Sequence, residues 1–248
     1  VTGACSEAGQ TVTILVDGAP ATAPAGFVCT GTSFTGTIDT TVIADGAHLL
    51  SAQISDAAGN STTSASNSIV IDTLAPNVAL VVPANNSYIN VASNSAMFAV
   101  SGTCDVATAQ VQIKIDGVNA TSQVGGVCNG ATFAATVDTR ALAIGAKSFT
   151  AEMIDIAGNL SVSATHTVNV DTVSPTLAIT SPATGDFISS LNDSTTYFIS
   201  GNCDENLATV SILVNGVPAT NPIGFVCNGA TFSGTIDSTV LSNNSTHN

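Results

Sequence analysis

Val111–Gly117 reads VQIKIDG. Val111, Ile113 and Ile115 alternate with Gln112 and Lys114, the period of two expected of an antiparallel strand with one face buried and the other in water. The same stretch returns as VTILVDG at Val12–Gly18 and as VSILVNG at Val210–Gly216. One strand written three times at a fixed spacing of 99 residues makes the chain a repeat.

Everything else of note falls into the same register. Cys5, Cys104 and Cys203 stand 99 residues apart, as do Cys29, Cys128 and Cys227, Phe34, Phe133 and Phe232, and Asp39, Asp138 and Asp237. A period of this size is too long for a solenoid unit and matches a small domain. The repeats are expected at 1–75, 76–174 and 175–248, joined by DTLAPNV (Asp72–Val78) and DTVSPTL (Asp171–Leu177), where proline ends a regular strand. The middle repeat reads as complete, the first as starting within an early strand and the third as stopping short. The chain is therefore expected to be a piece of a longer array.

Within the middle repeat, alternation recurs at Val78, Leu80, Val82; at Phe98, Val100, Gly102; at Phe133, Ala135, Val137; at Phe149, Ala151, Met153; and at Val168, Val170. A weaker strand is expected near Gly126–Cys128. Roughly seven strands in about a hundred residues, with turn signals between them, predict an all-β chain of tandem immunoglobulin-like sandwiches. The buried Trp of antibody domains is missing. If successive strands run in opposite directions, the loop between the last two falls at the end where the domain begins, beside the preceding linker.

Composition narrows the function. Seventeen acidic residues face three basic ones, for a formal net charge of -14. With no basic patch to neutralise phosphates, nucleic acid and anionic membranes are not expected partners. Charged residues are only 8% of the chain and apolar ones 44%, so the surface is mostly Ser, Thr, Asn, Gly and Ala around ample cores. No apolar run reaches the ~18 residues of a membrane helix, and the first residues lack a signal peptide's pattern. Any export signal or anchor is expected outside this stretch.

Six cysteines in three equal pairs, each 24 positions apart, predict one disulfide per repeat: Cys5 with Cys29, Cys104 with Cys128, Cys203 with Cys227. Zinc ligation would need CxxC-like or His-assisted spacing, which is not there. Disulfides imply an oxidising compartment: the cell surface, the extracellular space or a periplasm. Nothing suggests catalysis. His48, His166 and His247 occupy non-equivalent places in their repeats, and no nucleophile elbow, phosphate loop, metalloprotease helix or dinucleotide fingerprint occurs.

One motif has two readings. DAAGN (Asp56–Asn60) and DIAGN (Asp155–Asn159) each follow a core strand, and Gly and Asn suit the left-handed positions of a hairpin turn. The predicted topology also brings Asp72, Asp105, Asp155 and Asn159 to one junction, and Asp171 with Asp204 and Glu205 to the next. Carboxylates gathered without Lys or Arg repel one another, and calcium, which takes six to eight oxygens, would relieve them. A hydrated turn and a calcium site at the domain junctions both remain open.

The string VDG…C…F…GTID…DAAGN…IVIDTLAP resembles the bacterial Ig-like repeats of large surface adhesins and other extracellular repeat proteins. The resemblance implies junction calcium on Asp56, Asn60, Asp72, Asp155, Asn159 and Asp171, although the paired cysteines depart from many such repeats. It implies a rod or stalk of a bacterial surface adhesin or fibre, with neighbouring repeats as partners. The alternatives are a filament subunit that assembles with other copies, and a module that binds a glycan or host protein.

Overall fold

A computed structural model describes residues 1–241, and every regular element among them is a β-strand. The chain divides into two compact units, Val1–Val170 and Asp171–Asn248. Three separate hydrophobic cores form, one around Val12 and Phe34, one around Val111 and Phe149, and one around Ile199 and Phe232. His247 lies outside the described residues.

The first unit opens with β1 (Thr2–Ala4), β2 (Val12–Val16), β3 (Ala19–Pro20), β4 (Ser33–Thr35), β5 (Gly46–Ser55), β6 (Ser61–Thr63) and β7 (Asn67–Ile71). β1 pairs only with β4, while β2, β3, β5, β6 and β7 form a second sheet in which β5 carries both β6 and β7. Val12, Ile14, Phe27 and Phe34 are buried between them, but Leu50, Ala52 and Ile54 of β5 are only half-buried.

The unit continues with β8 (Val78–Val82), β9 (Ser87–Ile89), β10 (Phe98–Cys104), β11 (Val111–Ile115), β12 (Val118–Asn119), β13 (Val124–Gly125), β14 (Thr132–Val137), β15 (Gly145–Ile154), β16 (Leu160–Val162) and β17 (His166–Val170). One sheet runs β13-β14-β10-β8 and the other β12-β11-β15-β17-β9, with β16 paired to β15. Two mainly antiparallel sheets sharing a core of alternate residues make an immunoglobulin-like sandwich. Val111, Ile113, Val137, Phe149, Ala151, Met153 and Val168 are fully buried, so the alternation read from sequence is the inner face of each strand.

Three details depart from the sequence reading. The weak strand expected near Gly126–Cys128 is β13, at Val124–Gly125, and Val127 makes only an isolated bridge to Gln110. β9 went unforeseen: three residues long, it pairs in parallel with β17 and buries Ile89 completely. Val82, expected on the inner face, is 40% exposed, because the ladder between β8 and β10 shifts register between Ser101 and Gly102. Gly102 has to be glycine, since a Cβ there would overlap the Ala79 carbonyl and the Phe133 ring.

The hairpin of β11 and β12 turns on Asp116 and Gly117, with φ of 53° and 79°, the two left-handed residues that match strand twist. The Asp-Gly and Asn-Gly pairs at Asp17 and Asn215 do the same.

The second unit holds β18 (Leu177–Ser181), β19 (Tyr197–Cys203), β20 (Leu213–Val214), β21 (Val217–Pro218) and β22 (Thr231–Ile236). β18, β19 and β22 form one sheet and β20 and β21 a hairpin, with Ile199, Phe225, Phe232 and Ile236 buried. Three disulfides join Cys5 to Cys29, Cys104 to Cys128 and Cys203 to Cys227, with Cα separations of 6.0, 6.0 and 6.1 Å. No free cysteine remains.

Candidate functional site at the first linker

DIAGN is the turn between β15 and β16. Gly158, at φ of 96°, supplies the left-handed residue, and the Asp155 N–H donates to the Asn159 carbonyl at 3.2 Å. The Asp155 carboxylate folds back over its own turn. Its Oδ1 accepts the N–H groups of Gly158 (2.8 Å) and Asn159 (2.9 Å), and its Oδ2 accepts the Asn159 side-chain amide at 2.9 Å. DAAGN repeats the arrangement, with Asp56 accepting the N–H groups of Ala58 and Asn60 and the Asn60 amide at 2.7 Å. The Asn amides, with these backbone donors, hold both Asp carboxyls below their ordinary range.

The second copy does more than close a turn. Asn159 Nδ2 also donates to the main-chain carbonyl of Asp72, at 3.0 Å. Both of its partners can only accept, which fixes the orientation of the amide. Asn159 is half-buried there, whereas Asn60 is exposed.

The linker is held at three further points. Thr73 donates to Asp45 of the first repeat through its N–H (3.2 Å) and its hydroxyl (2.9 Å). The Leu74 N–H caps the Asp72 carboxylate at 3.2 Å. Asn77 donates its N–H (2.9 Å) and its amide (2.8 Å) to the two oxygens of Asp105, and the Asn77 amide is the chief cause of the lowered Asp105 pKa. The segment between the first two repeats is thus hydrogen-bonded to the repeat on each side.

The second linker shares part of this pattern. Asp171 accepts the Val173 N–H at 3.1 Å, and Asp204 accepts the Thr176 N–H (2.8 Å) and hydroxyl (2.6 Å). The Thr176 hydroxyl is the first cause of the lowered Asp204 pKa. Ile144 stands where the first repeat has Asp45.

Of the residues expected at the first junction, Asp155, Asn159 and Asp72 meet, but Asp72 enters through its carbonyl, and Asp105 turns to Asn77 instead. Calcium requires six to eight oxygens free to face one ion. Here both oxygens of Asp155 and of Asp105 already face N–H donors, and Asn159 presents its NH₂. Among the described residues, no three His, Cys, Asp or Glu side chains gather as metal ligands. As arranged, hydrogen-bond donors meet the acids that the sequence reading left open between a hydrated turn and calcium.

Asp45, Thr73 and Asn77 were missed. Asn77 with Asp105 and Thr176 with Asp204 share the 99-residue register and could have been found by pairing linker polar residues with the recurrent acids. Asp45 with Thr73 has no copy, so no repeat signal marks it.

His48 and His166 take no part in the site. His48 places Nδ1 on Asp17 at 2.7 Å and Nε2 on the Ala44 carbonyl at 2.8 Å. His166 places Nδ1 on the Pro83 carbonyl at 2.7 Å.

No protein-family model matches the chain, and no curated protein does. Solved structures that resemble it include fibronectin(III)-like modules of Clostridium thermocellum CbhA, at 13% identity over 68% of this chain and 80% of that one, with a TM-score of 0.40. A 1.5-MDa bacterial ice-binding adhesin is similar at 20% identity over 96% and 79% of the two chains, with a TM-score of 0.37. A tetra-tandem repeat from the extending region of a large adhesion protein is similar at 20% identity over 97% of this chain and 62% of that one, with a TM-score of 0.35. The sandwich assignment rests on the strand pairing above, not on these likenesses.

Proposed function

We propose that the chain is a spacer: three immunoglobulin-like repeats, at 1–75, 76–174 and 175–248, forming part of a rod or stalk in an extracellular bacterial surface protein of the adhesin or fibre kind. The observation that carries this reading is the first linker, tied to Asp45 on one side and to Asn159 and Asp105 on the other. A tether that only joins domains needs no such bonds, whereas a rod must resist bending at its junctions. One disulfide in each repeat suits an oxidising location and a chain that bears load.

The test is the stiffness of the junction. In the Asn159→Ala chain the first two repeats should reorient more freely, seen as a shorter maximum dimension in solution X-ray scattering and as separate rotational correlation times in NMR relaxation. Asn60→Ala, which alters the same turn away from the linker, should leave both readouts unchanged. Equal behaviour of the two variants would overturn the reading.

A further inference from the structure

His48 lies on β5 with its ring between two acceptors. Nδ1 meets the Asp17 carboxylate at 2.7 Å and Nε2 meets the Ala44 carbonyl at 2.8 Å. A neutral imidazole carries one N–H, so it bonds one of these groups and turns a lone pair on the other; only the imidazolium donates to both. The side chain is 15% exposed, which leaves little room for water to take either place.

The middle repeat places a cation at the same position. Lys147 stands where the first repeat has His48, and Asp116 where it has Asp17, and the two form an ion pair at 3.3 Å. In both repeats a backbone donor aims the acid: the Leu49 N–H bonds Asp17 Oδ1 at 2.8 Å, and the Ser148 N–H bonds Asp116 Oδ1 at 2.9 Å. A lysine keeps its charge to about pH 10, whereas a histidine loses it near neutrality. The first repeat therefore carries a titratable version of a fixed pair.

Few groups act on the ring. Besides Asp17, the hollow beside it is lined by Val16, Pro20, Ala21, Thr22, Val42 and Ile43, and the residue opposite on β7 is Ile69. None of these titrates, and Asp45, next to Ala44, is turned to Thr73. The Asp17 bond first, and then the Ala44 bond, hold the His48 pKa above its ordinary value.

The bond to Ala44 reaches the linker through one peptide. That carbonyl belongs to the peptide leading into Asp45, and Asp45 accepts the Thr73 N–H at 3.2 Å and its hydroxyl at 2.9 Å. When the ring loses a proton, the remaining one stays on Nδ1, where the acceptor bears a full negative charge. Nε2 then points a lone pair at the Ala44 carbonyl, and the two acceptors repel. The Ala44–Asp45 peptide is released to turn, and the carboxylate that holds Thr73 turns with it.

We propose that His48 is a proton-operated latch on the first linker: protonated, it fixes the Ala44–Asp45 peptide and with it the Asp45–Thr73 bonds, and deprotonated it releases them. The junction is stiffer on the acid side of the His48 transition and looser on the alkaline side. This rests on the spacer reading, in which the linker bonds stiffen the rod. The middle repeat has no counterpart, with Ile144 in place of Asp45 and Lys147 in place of His48.

The test is NMR of the whole chain from about pH 5 to about pH 9, the range in which histidine titrates. The ring-nitrogen shifts of His48 should show two protons at the acid end and loss of the Nε2 proton at a midpoint above the ordinary histidine value. The Ala44 carbonyl-carbon shift and the Thr73 amide shift should change with that same midpoint. In His48→Gln, which does not titrate, both changes should vanish. In Asp45→Ala the ring and Ala44 should titrate together while Thr73 no longer follows.

A His48 ring with a single proton at the acid end, or an Ala44 carbonyl that ignores the ring's titration, would overturn the latch. So would a Thr73 amide that does not follow the ring in the wild type, or that still follows it in Asp45→Ala. The wild-type readouts need no variant to fold. They are also local, so equal scattering of Asn159→Ala and Asn60→Ala, which sinks the spacer reading, would leave them to stand or fall separately.

Discussion

Replacing both Cys104 and Cys128 by Ala removes the crosslink of the middle sandwich without leaving a free thiol. The two residues are 24 positions apart, and the chain entropy of a loop that size restores ~3.5 kcal/mol of freedom to the unfolded state. Both side chains are buried, Cys104 at 5% and Cys128 at 1% exposed, and Cys128 Sγ accepts the Gly130 N–H at 3.3 Å, so lost packing adds to the entropic loss. A cost of ~3.5 kcal/mol lowers the melting temperature of a domain this size by about 14–28 °C. Native-state hydrogen exchange on peptides spanning β11 and β15 isolates this sandwich from the rest of the chain. Their slowest amides, which exchange through global opening, should speed up by on the order of 400-fold. The matching change at Cys203 and Cys227, in the other compact unit, should leave those peptides unaltered. A loss below ~1 kcal/mol would refute the chain-entropy reasoning.

Three further outcomes are expected. Chelation of divalent cations should leave the melting temperature unchanged, because N–H donors already face the junction carboxylates; a clear drop would return the junction to a metal. Phe149→Ala, at a fully buried position, should cost ~3–5 kcal/mol in urea unfolding, whereas Leu50→Ala, half-buried at the equivalent place in the first repeat, should cost no more than ~2 kcal/mol; equal costs would contradict the difference in packing. The pH dependence should have two limbs. Hydrogen bonds that the His48 ring donates to the Asp17 carboxylate and the Ala44 carbonyl raise its pKa above 6.5, so its contribution is complete below that pH and fades as pH rises through the folded value. Asp17→Asn should abolish this slope in a pH series of thermal melts. Asp56, Asp105, Asp155 and Asp204 have lowered values, and Asp138, beside Arg140, falls to about 2. Their contribution, present above 3.8, should fade on acidification, and for Asp138 only towards about pH 2; a flat acid limb would contradict the carboxylate bonding.

The sequence alone determined the repeat, the strand faces other than that of Val82 and the cysteine pairing, because each is written in local periodicity or in a fixed offset. Val111, Ile113 and Ile115 had to share a face whatever they packed against. Equal cysteine spacing in three copies left one economical pairing, which the structure adopts. β9 was not legible. Its three residues carry one inner side chain, Ile89, and its partner β17 lies about 80 residues further on, beyond any local pattern.

The candidate site divides in the same way. DIAGN could be read as a hairpin turn because Gly and Asn favour left-handed backbone, and its place beside a linker followed from strand alternation. What the acids bind could not be read. Sequence counts their charges, but whether Asp155 and Asp105 stay unrelieved depends on where backbone N–H groups and the amides of Asn159 and Asn77 come to rest. Only the tertiary structure decides that, because hydrogen bonds are set by distance and direction, and those between Asn159 and Asp72 join residues 87 positions apart.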